Sequence, residues 1–212
     1  MSNELWIAIA IAGAYLTGSI STAVWVGRGF FGLDVRAHGS RNAGATNTLR
    51  VLGLKAGIPV LLLDVFKGWL PVFLIRYLPI TFESNEMLEI VKIACGLSAV
   101  AGHVFPVYTR FRGGKGVATL LGMGLALFPY PSLAAVIVFA LMMLLFRIVS
   151  LSSVTAAIVF PFATAFLPFG DTPGWPLLAL SVFVALFIPY THRENIRRLL
   201  KGEEKKFTVA RK

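Results

Sequence analysis

Long apolar segments alternate with short polar ones along the whole chain. Seven of the apolar segments predict membrane-spanning helices, namely Leu5–Val26, Val51–Leu74, Leu88–Val107, Val117–Phe128, Ser132–Phe146, Val154–Leu167 and Pro176–Tyr190. The fourth is short for a bilayer, so part of the loop before it is expected to dip into the membrane or to be helical. The pattern predicts an all-α integral membrane protein, a seven-transmembrane-helix bundle forming a single domain over residues 1–212.

Composition agrees with this prediction, because 57% of the 212 residues are hydrophobic and only 14% are charged. Soluble domains usually have about 45–50% apolar and about 25% charged residues. The net charge of +10 comes mostly from a few short loops and the tail. Membrane orientation and anionic partners explain that distribution better than nucleic acid, so no nucleic-acid partner is expected. Cys95 is the single cysteine, which excludes an intramolecular disulfide.

The basic residues also predict which side of the membrane each loop faces. Of the 20 Lys and Arg residues, 16 lie in residues 28–50 and 108–116, at Arg147 and in the tail after Thr191, whereas loops 77–89 and 168–175 have none. Cytoplasmic loops carry the excess of Lys and Arg, so the N-terminus is predicted outside and the C-terminus in the cytoplasm. The polar motifs then share the cytoplasmic face, which predicts one cytoplasm-facing active site.

The first polar motif runs from Ala37 to Arg50 and contains two glycines, small polar side chains and two arginines. An apolar helix is expected to begin at about Leu49, with Thr46, Asn47 or Thr48 as its N-cap. A glycine-rich turn before a helix N-terminus presents several N–H groups and binds phosphate. The alternative interpretation is a plain polar loop between two membrane helices.

The second polar motif places Gly113, Gly114 and Gly116 around Lys115, just before another helix. Backbone N–H groups beside a lysine again suit phosphate, although the spacing is not that of a Walker A loop. A flexible basic interfacial loop is the alternative. Two such loops on one face suggest two phosphate groups, or a donor and an acceptor that each carry one.

The third polar motif closes the last span with His192 and Asn195, which are expected to share a face of one helix. Histidine titrates near physiological pH, so His192 is a candidate general base or hydrogen-bond donor. An interfacial histidine on a basic helix that binds anionic lipid is the alternative. His38 and His103 are interpreted as structural.

Asp64 and Lys67 lie at i, i+3 inside the second predicted span. Two interpretations stay open, an internal ion pair that holds this helix to its neighbours or a role in the site. Gly13, Gly18, Ser19 and Ser21 are small residues of the first span that favour close helix packing, although the two serines could instead line a substrate path.

Several chemistries are disfavoured by what the motifs lack. No histidine has an aspartate five positions on, as the common glycerolipid acyltransferases require, and no G-x-S-x-G elbow occurs. Carboxylates of the predicted cytoplasmic face are sparse (Asp34, Glu194, Glu203 and Glu204), so no metal site and no metal-dependent phosphotransferase is expected.

These motifs together resemble the bacterial acyl-phosphate:glycerol-3-phosphate acyltransferase (PlsY) family. The resemblance extends over the whole chain and is carried by Gly39-Ser40, Asn42, Gly44-Ala45-Thr46-Asn47, Arg50, Gly102-His103, Phe105-Pro106, Gly113-Gly114-Lys115-Gly116-Val117-Ala118-Thr119, Ser150-Leu151-Ser152-Ser153, His192, Glu194-Asn195-Ile196 and Gly202. Ser21 stands where the family often has proline, and Arg112 where it often has lysine.

The resemblance implies an enzyme of phospholipid biosynthesis in the bacterial plasma (inner) membrane. It would move a fatty acyl group from acyl phosphate to the 1-hydroxyl of glycerol 3-phosphate, giving lysophosphatidic acid and phosphate. The implied partners are acyl phosphate, glycerol 3-phosphate and membrane lipid, without a cofactor, an acyl-CoA, an acyl-carrier protein or an obligate protein partner.

We assign site residues on this basis as a hypothesis. The acyl-phosphate head is assigned to Ser40, Asn42, Gly44, Ala45, Thr46, Asn47 and Arg50. Glycerol 3-phosphate is assigned to Lys115 with Gly113, Gly114 and Gly116, and to Ser153, His192 and Asn195. The catalytic set is Ser40, Arg50, Lys115, Ser153, His192 and Asn195. The two pockets are partly exchangeable, and either His192 or a substrate phosphate takes the hydroxyl proton.

Two other classes of protein compete with this assignment. Basic loops and the intramembrane Asp64 and Lys67 could serve an organic-phosphate transporter, although no internal repeat is present. A lipid-binding scaffold without turnover is the third possibility.

Overall fold

In the computed structural model, which describes residues 2–167 and 173–210, all the regular elements are helical. This confirms the all-α prediction for the described residues. The α-helices are α1 (Asn3–Gly18), α2 (Thr22–Phe31), α3 (Ala45–Leu52), α4 (Leu54–Leu74), α5 (Asn85–Val104), α6 (Val117–Leu127), α7 (Pro129–Phe146), α8 (Val149–Phe166), α9 (Trp175–Thr191) and α10 (Arg193–Leu200).

The helices group into two compact units. Unit 1 extends to Ala126 and includes the chain from Thr208, and unit 2 runs from Leu127 to Phe207. Within unit 1, α4 packs against α1, α2, α3 and α5, and α1 packs along α5. Within unit 2, α8 packs against α7, α9 and α10. The single domain expected over residues 1–212 stays a prediction.

Among the described residues, four helices are long and apolar enough to cross a membrane, or up to six if each bent pair counts as one span. The bent pairs are α1 with α2, at 41°, and α9 with α10, at 63°. The expected fourth span, α6, is a shorter apolar helix of 11 residues. Seven spans and an outside N-terminus stay predictions, and the part of the expected outer loop that contains Asp171 lies outside the described residues.

Close backbone contacts join the helices of unit 1. A Cβ added at Gly18 would collide with the backbone of Ala99, and one added at Gly68 would collide with the backbone of Thr119. Glycine at these positions lets α1 approach α5 and α4 approach α6, as small residues do in membrane bundles. Gly13 contributes nothing to this packing, because it faces open space.

The first predicted span is broken at Ser19–Ser21, between α1 and α2. A broken helix in an apolar bundle leaves backbone groups that need partners from the protein. Lys67 supplies one, because its Nζ donates to the carbonyl oxygen of Ile20 at 2.7 Å. The Thr22 hydroxyl, on the other side of the break, donates to the carboxylate of Asp64.

Asp64 and Lys67 form a buried ion pair that holds this break. Lys67 Nζ lies 2.8 Å from Asp64 Oδ1, and only 5% and 1% of the two side chains are exposed. The internal ion-pair interpretation is therefore confirmed. His103 is also buried, and its Nδ1 lies 3.6 Å from the same Asp64 oxygen.

The second predicted span begins differently from the sequence expectation. A separate helix, α3, starts at Ala45 with Gly44 as its N-cap, and Gly53 at φ +81° separates it from α4. The expected start at Leu49 and the N-cap at Thr46, Asn47 or Thr48 are therefore wrong. Extended Gly44 starts the helix earlier, and the Thr48 hydroxyl instead donates back to the Gly44 carbonyl oxygen at 3.1 Å.

The serine patch before the sixth predicted span lies inside a helix. Helix α8 starts at Val149, so Ser150, Ser152 and Ser153 occupy its first turns and are buried. The Ser152 hydroxyl donates to the Ile148 carbonyl oxygen at 2.9 Å. The Ser152 hydroxyl is therefore satisfied at the start of a helix, whereas the sequence predicted a helix only from Val154.

We predict that Lys67→Met destabilises the protein by about 3–5 kcal/mol, because it leaves the buried Asp64 carboxylate without its cation. Lys55→Met is the matched control, since Lys55 is an exposed residue of the same helix. Chemical unfolding of the purified protein in detergent measures both changes. Equal stability of the two variants would contradict the role given to the ion pair.

Candidate active site

Asn47 holds the first polar loop in shape. Its Nδ2 donates to the carbonyl oxygens of Val35 at 2.8 Å and His38 at 3.1 Å, and its Oδ1 accepts from the Ser40 N–H at 2.7 Å. Only 1% of Asn47 is exposed. Both amide hydrogens are used, so this side chain positions the loop around Ser40.

The same loop presents polar groups at the start of α3. Gly39 has φ +60°, and a Cβ there would collide with the amide oxygen of Asn47. Ser40 is exposed and Asn42 half-buried, whereas Ala45 is buried at the helix start. The first N–H groups of α3, at Ala45 and Thr46, have no acceptor within the helix, which is what the anion-binding prediction requires; anion binding there stays a prediction. Arg50 is half-buried one turn after Thr46.

The second polar loop makes a tight turn before α6. Arg110 and Phe111 both have positive φ, at 57° and 58°, and the Gly114 N–H donates to the His103 carbonyl oxygen at 3.1 Å. A Cβ at Gly113 would collide with that same carbonyl oxygen. The glycines therefore let the loop fold back onto the end of α5, which leaves Lys115 half-buried at the entrance to α6.

The structure brings the two loops together within unit 1. Arg36 donates to the carbonyl oxygens of Thr109 at 3.1 Å and Arg112 at 3.2 Å. A Cβ at Gly114 would come within 3.0 Å of the Ala43 carbonyl oxygen, so the Lys115 loop lies against the Asn47 loop. The predicted proximity of these two motifs is confirmed.

Asp34 fixes the arginine that links the loops. Its carboxylate accepts from the Arg36 side chain at 2.8 Å and from Arg28 at 2.9 Å. The hydrogen bond from Arg36 is the main reason that the pKa of Asp34 falls to about 2. Neither Asp34 nor Arg36 is among the predicted site residues, although an acid two positions before a basic residue indicates a local ion pair.

Unit 2 contains the other three predicted site residues, Ser153, His192 and Asn195. His192 is buried at the junction of α9 and α10, and its Nδ1 lies 2.9 Å from the Ile188 carbonyl oxygen. A carbonyl oxygen only accepts, so Nδ1 carries a proton and the lone pair of the neutral ring lies on Nε2. The expectation of one continuous helix through His192 and Asn195 is wrong, because the chain bends at His192.

Asn195 binds a carboxylate that sequence analysis did not assign to the site. Glu204 Oε1 accepts from Asn195 Nδ2 at 2.6 Å and from the Ser150 hydroxyl at 2.8 Å, and Oε2 accepts from Arg198 Nε at 2.7 Å. Burial alone would raise the pKa of Glu204, but these hydrogen bonds outweigh it and lower the pKa below its usual value. The only sequence feature that could have indicated this role was the position of Glu204 in a tail of mostly basic residues.

Across residues 2–167 and 173–210, no three His, Cys, Asp or Glu side chains gather where they could hold a metal ion. Apart from carboxylates that are already paired with cations, the polar groups around the predicted site residues are hydroxyls, amides, cations and backbone N–H groups. Such groups bind anions and stabilise developing negative charge.

Known proteins with similar sequences point to one activity. The family model for glycerol-3-phosphate acyltransferase matches residues 8–202. The glycerol-3-phosphate acyltransferase of Geotalea daltonii is 43% identical over 207 residues, covering 98% of this chain and 99% of that protein. The one from Fusobacterium nucleatum subsp. nucleatum is 42% identical over 193 residues, covering 91% and 94%.

Two crystal structures of PlsY (YgiH), an integral membrane glycerol 3-phosphate acyltransferase, are similar to this chain. The glycerol 3-phosphate form has a TM-score of 0.83 and 36% identity, covering 95% of this chain and 96% of that chain. The lysophosphatidic acid form has a TM-score of 0.79 and 38% identity, covering 95% of each.

The apolar helices and these similarities define an integral membrane acyltransferase. This chain belongs to the glycerol-3-phosphate acyltransferase family, as the sequence resemblance predicted. The roles of individual residues stay predictions.

We predict that Asn47→Ala frees the first polar loop, because three hydrogen bonds to its backbone are lost. Hydrogen–deuterium exchange of a peptide covering Ser40 should become at least tenfold faster. Asn85→Ala, at an exposed helix start, is the control and should leave that peptide unchanged. Unchanged exchange in Asn47→Ala would contradict the positioning role.

Asp34 predicts a stability change at low pH. Its pKa is about 2 in the folded protein and about 4 when unfolded, so its stabilising contribution is present above about pH 4. That contribution is lost as the pH falls towards 2. Unfolding measurements should show wild type more stable than Asp34→Asn at pH 6, with the gap closing between pH 4 and 2. A constant gap would contradict this role.

Proposed function

We propose that this protein transfers a fatty acyl group from an acyl phosphate to the 1-hydroxyl of glycerol 3-phosphate, releasing lysophosphatidic acid and phosphate. Membership of the family supports the acceptor. The observation that supports the donor is the pair of glycine-rich cationic loops that Arg36 joins in unit 1. Two adjacent sites for phosphate suit a reaction in which each substrate carries one.

An acyl phosphate is a mixed anhydride and is already activated, so the protein need not supply a covalent nucleophile. The 1-hydroxyl oxygen bonds to the acyl carbonyl carbon, the bond from that carbon to the phosphate oxygen breaks, and phosphate leaves with the electron pair. Positioning of the two anions and stabilisation of the departing phosphate supply most of the rate. Catalytic carboxylates would oppose that electrostatic task.

Each group of residues has a role in this proposal. The acyl-phosphate head binds at Ser40, at the N–H groups that begin α3, and at Arg50. Lys115 binds the phosphate of glycerol 3-phosphate, and Ser153 and Asn195 bind its hydroxyls. His192 takes the hydroxyl proton on Nε2, since Nδ1 donates to Ile188. Asn47 acts through the loop that it orders.

The membrane arrangement belongs to the same proposal. We place the protein in the bacterial plasma membrane with seven spans, an outside N-terminus and a cytoplasm-facing site. The concentration of basic residues in alternate loops supports that orientation. The family match favours a transferase over the organic-phosphate transporter.

The donor is tested with detergent-purified protein, glycerol 3-phosphate and one of three donors: palmitoyl phosphate, palmitoyl-CoA or palmitoyl-acyl-carrier protein. We expect lysophosphatidic acid and phosphate in equal amounts from palmitoyl phosphate, and no product from the other two. Product from palmitoyl-CoA alone would overturn the proposed donor.

The residue roles are tested by Lys115→Ala and His192→Ala. Loss of the general base should lower kcat by roughly 10²–10⁴-fold, and loss of the lysine should mainly raise KM for glycerol 3-phosphate. Lys55→Ala and His38→Ala are matched controls, because both residues are exposed. Activity of either test variant within about threefold of wild type, under about 1 kcal/mol, would remove that residue from the chemistry.

A further inference from the structure

The chain after α10 turns back along unit 2. Gly202 has φ +70°, and the Glu203 N–H donates to the Arg198 carbonyl oxygen at 2.8 Å, which closes the helix end. Further on, the Phe207 N–H donates to the Arg147 carbonyl oxygen at 2.6 Å. The tail between these points is therefore held against the segment that joins α7 to α8.

Glu204 lies in the middle of this tail segment and joins two helices. Its Oε1 accepts from Ser150 in the first turn of α8 and from Asn195 in α10. Its Oε2 pairs with Arg198 at 2.7 Å, and only 10% of the Glu204 side chain is exposed. Hydrogen bonds to an ionised carboxylate are roughly twice as strong as neutral ones, so this connection is a strong constraint on Asn195.

The orientation of the Asn195 amide depends on that constraint. The terminal torsion of asparagine is broad and nearly two-fold, so the amide oxygen and nitrogen exchange places easily unless a partner distinguishes them. A carboxylate only accepts, and it therefore fixes Nδ2 towards Glu204 and turns Oδ1 the other way. Oδ1 is the atom that can accept from a substrate hydroxyl.

We propose that Glu204 is a positioning residue of the acyl transfer, which fixes the Asn195 amide so that Oδ1 faces the glycerol 3-phosphate hydroxyls. This inference rests on the proposed function. A glutamine at position 204 cannot replace the carboxylate, because it has one oxygen and one NH₂ group. If the glutamine NH₂ group replaced Oε1, it would face the donors of Asn195 and Ser150. If it replaced Oε2, it would face the Arg198 donor.

The test compares Glu204→Gln with Glu203→Gln, a matched control that changes the neighbouring exposed carboxylate in the same way. We expect Glu204→Gln to lower kcat/KM for glycerol 3-phosphate at least tenfold, and Glu203→Gln to stay within threefold of wild type. A Glu204→Gln variant that is folded and within threefold of wild type would overturn the proposal.

A double-mutant cycle with Asn195→Ala separates positioning from a general structural effect. If Glu204 acts through Asn195, Glu204→Gln should change activity less than threefold in the Asn195→Ala background. The same tenfold loss in both backgrounds would overturn the proposal. If Glu204→Gln does not fold, Glu204→Asp replaces it, because aspartate keeps the negative charge but has a side chain shorter by one methylene. The same double-mutant cycle with Asn195→Ala is then measured, with the same criteria.

The cycle is measured with whichever acyl donor the wild-type protein uses. Turnover with a donor other than acyl phosphate would refute the proposed donor. The double-mutant cycle, measured with that other donor, would still test whether Glu204 acts through Asn195. The two failures are therefore distinguishable.

Discussion

The break between α1 and α2 is held by a buried ion pair, and the rest of unit 1 packs around it. The chain leaves its helical path between α1 and α2, and the carbonyl oxygen of Ile20 is bonded by the ammonium of Lys67. Asp64 balances that buried cation and accepts from Thr22 beyond the break. Charge in such surroundings is costly unless it is paired, so the pair and the break stabilise each other. The break also allows the hydroxyl of Ser21 to lie 3.1 Å from that of Thr109, at the base of the second polar loop.

The segment after the break is connected to the two polar loops by hydrogen bonds to backbone carbonyl oxygens. Helix α2 is followed by Asp34 and Arg36, and Arg36 binds two carbonyl oxygens of the Lys115 loop. Asn47 shapes the neighbouring loop through three bonds to its backbone. In both loops, polar side chains order the backbone through hydrogen bonds to its carbonyl oxygens. A preorganised polar site of this kind needs little rearrangement during the reaction.

The sequence predicted the helical class, the close helix packing and the motifs that meet in unit 1, because apolar length and glycine-rich polar loops are local patterns. The helix start at Ala45 was not predicted, because Thr46, Asn47 and Thr48 all have side chains that cap helices better than glycine does. In the structure the N-cap is nevertheless Gly44, whose backbone is extended. The bend at His192 and the bonds of Glu204 were not predictable, because each depends on partners distant in the chain or on backbone geometry. The i, i+3 spacing of Asp64 and Lys67 indicated the ion pair, but nothing local in the sequence indicated that Lys67 also donates to the Ile20 carbonyl oxygen.

In the proposed reaction two bound anions react directly, without an acyl-enzyme. Direct transfer is tested by incubating the purified protein with acyl phosphate and radiolabelled inorganic phosphate, in the absence of glycerol 3-phosphate. Direct transfer predicts no label in the acyl phosphate, because its bond to phosphate breaks only when the acceptor attacks. Incorporation of label at a rate near that of turnover would show that the protein itself accepts the acyl group, and would contradict direct transfer.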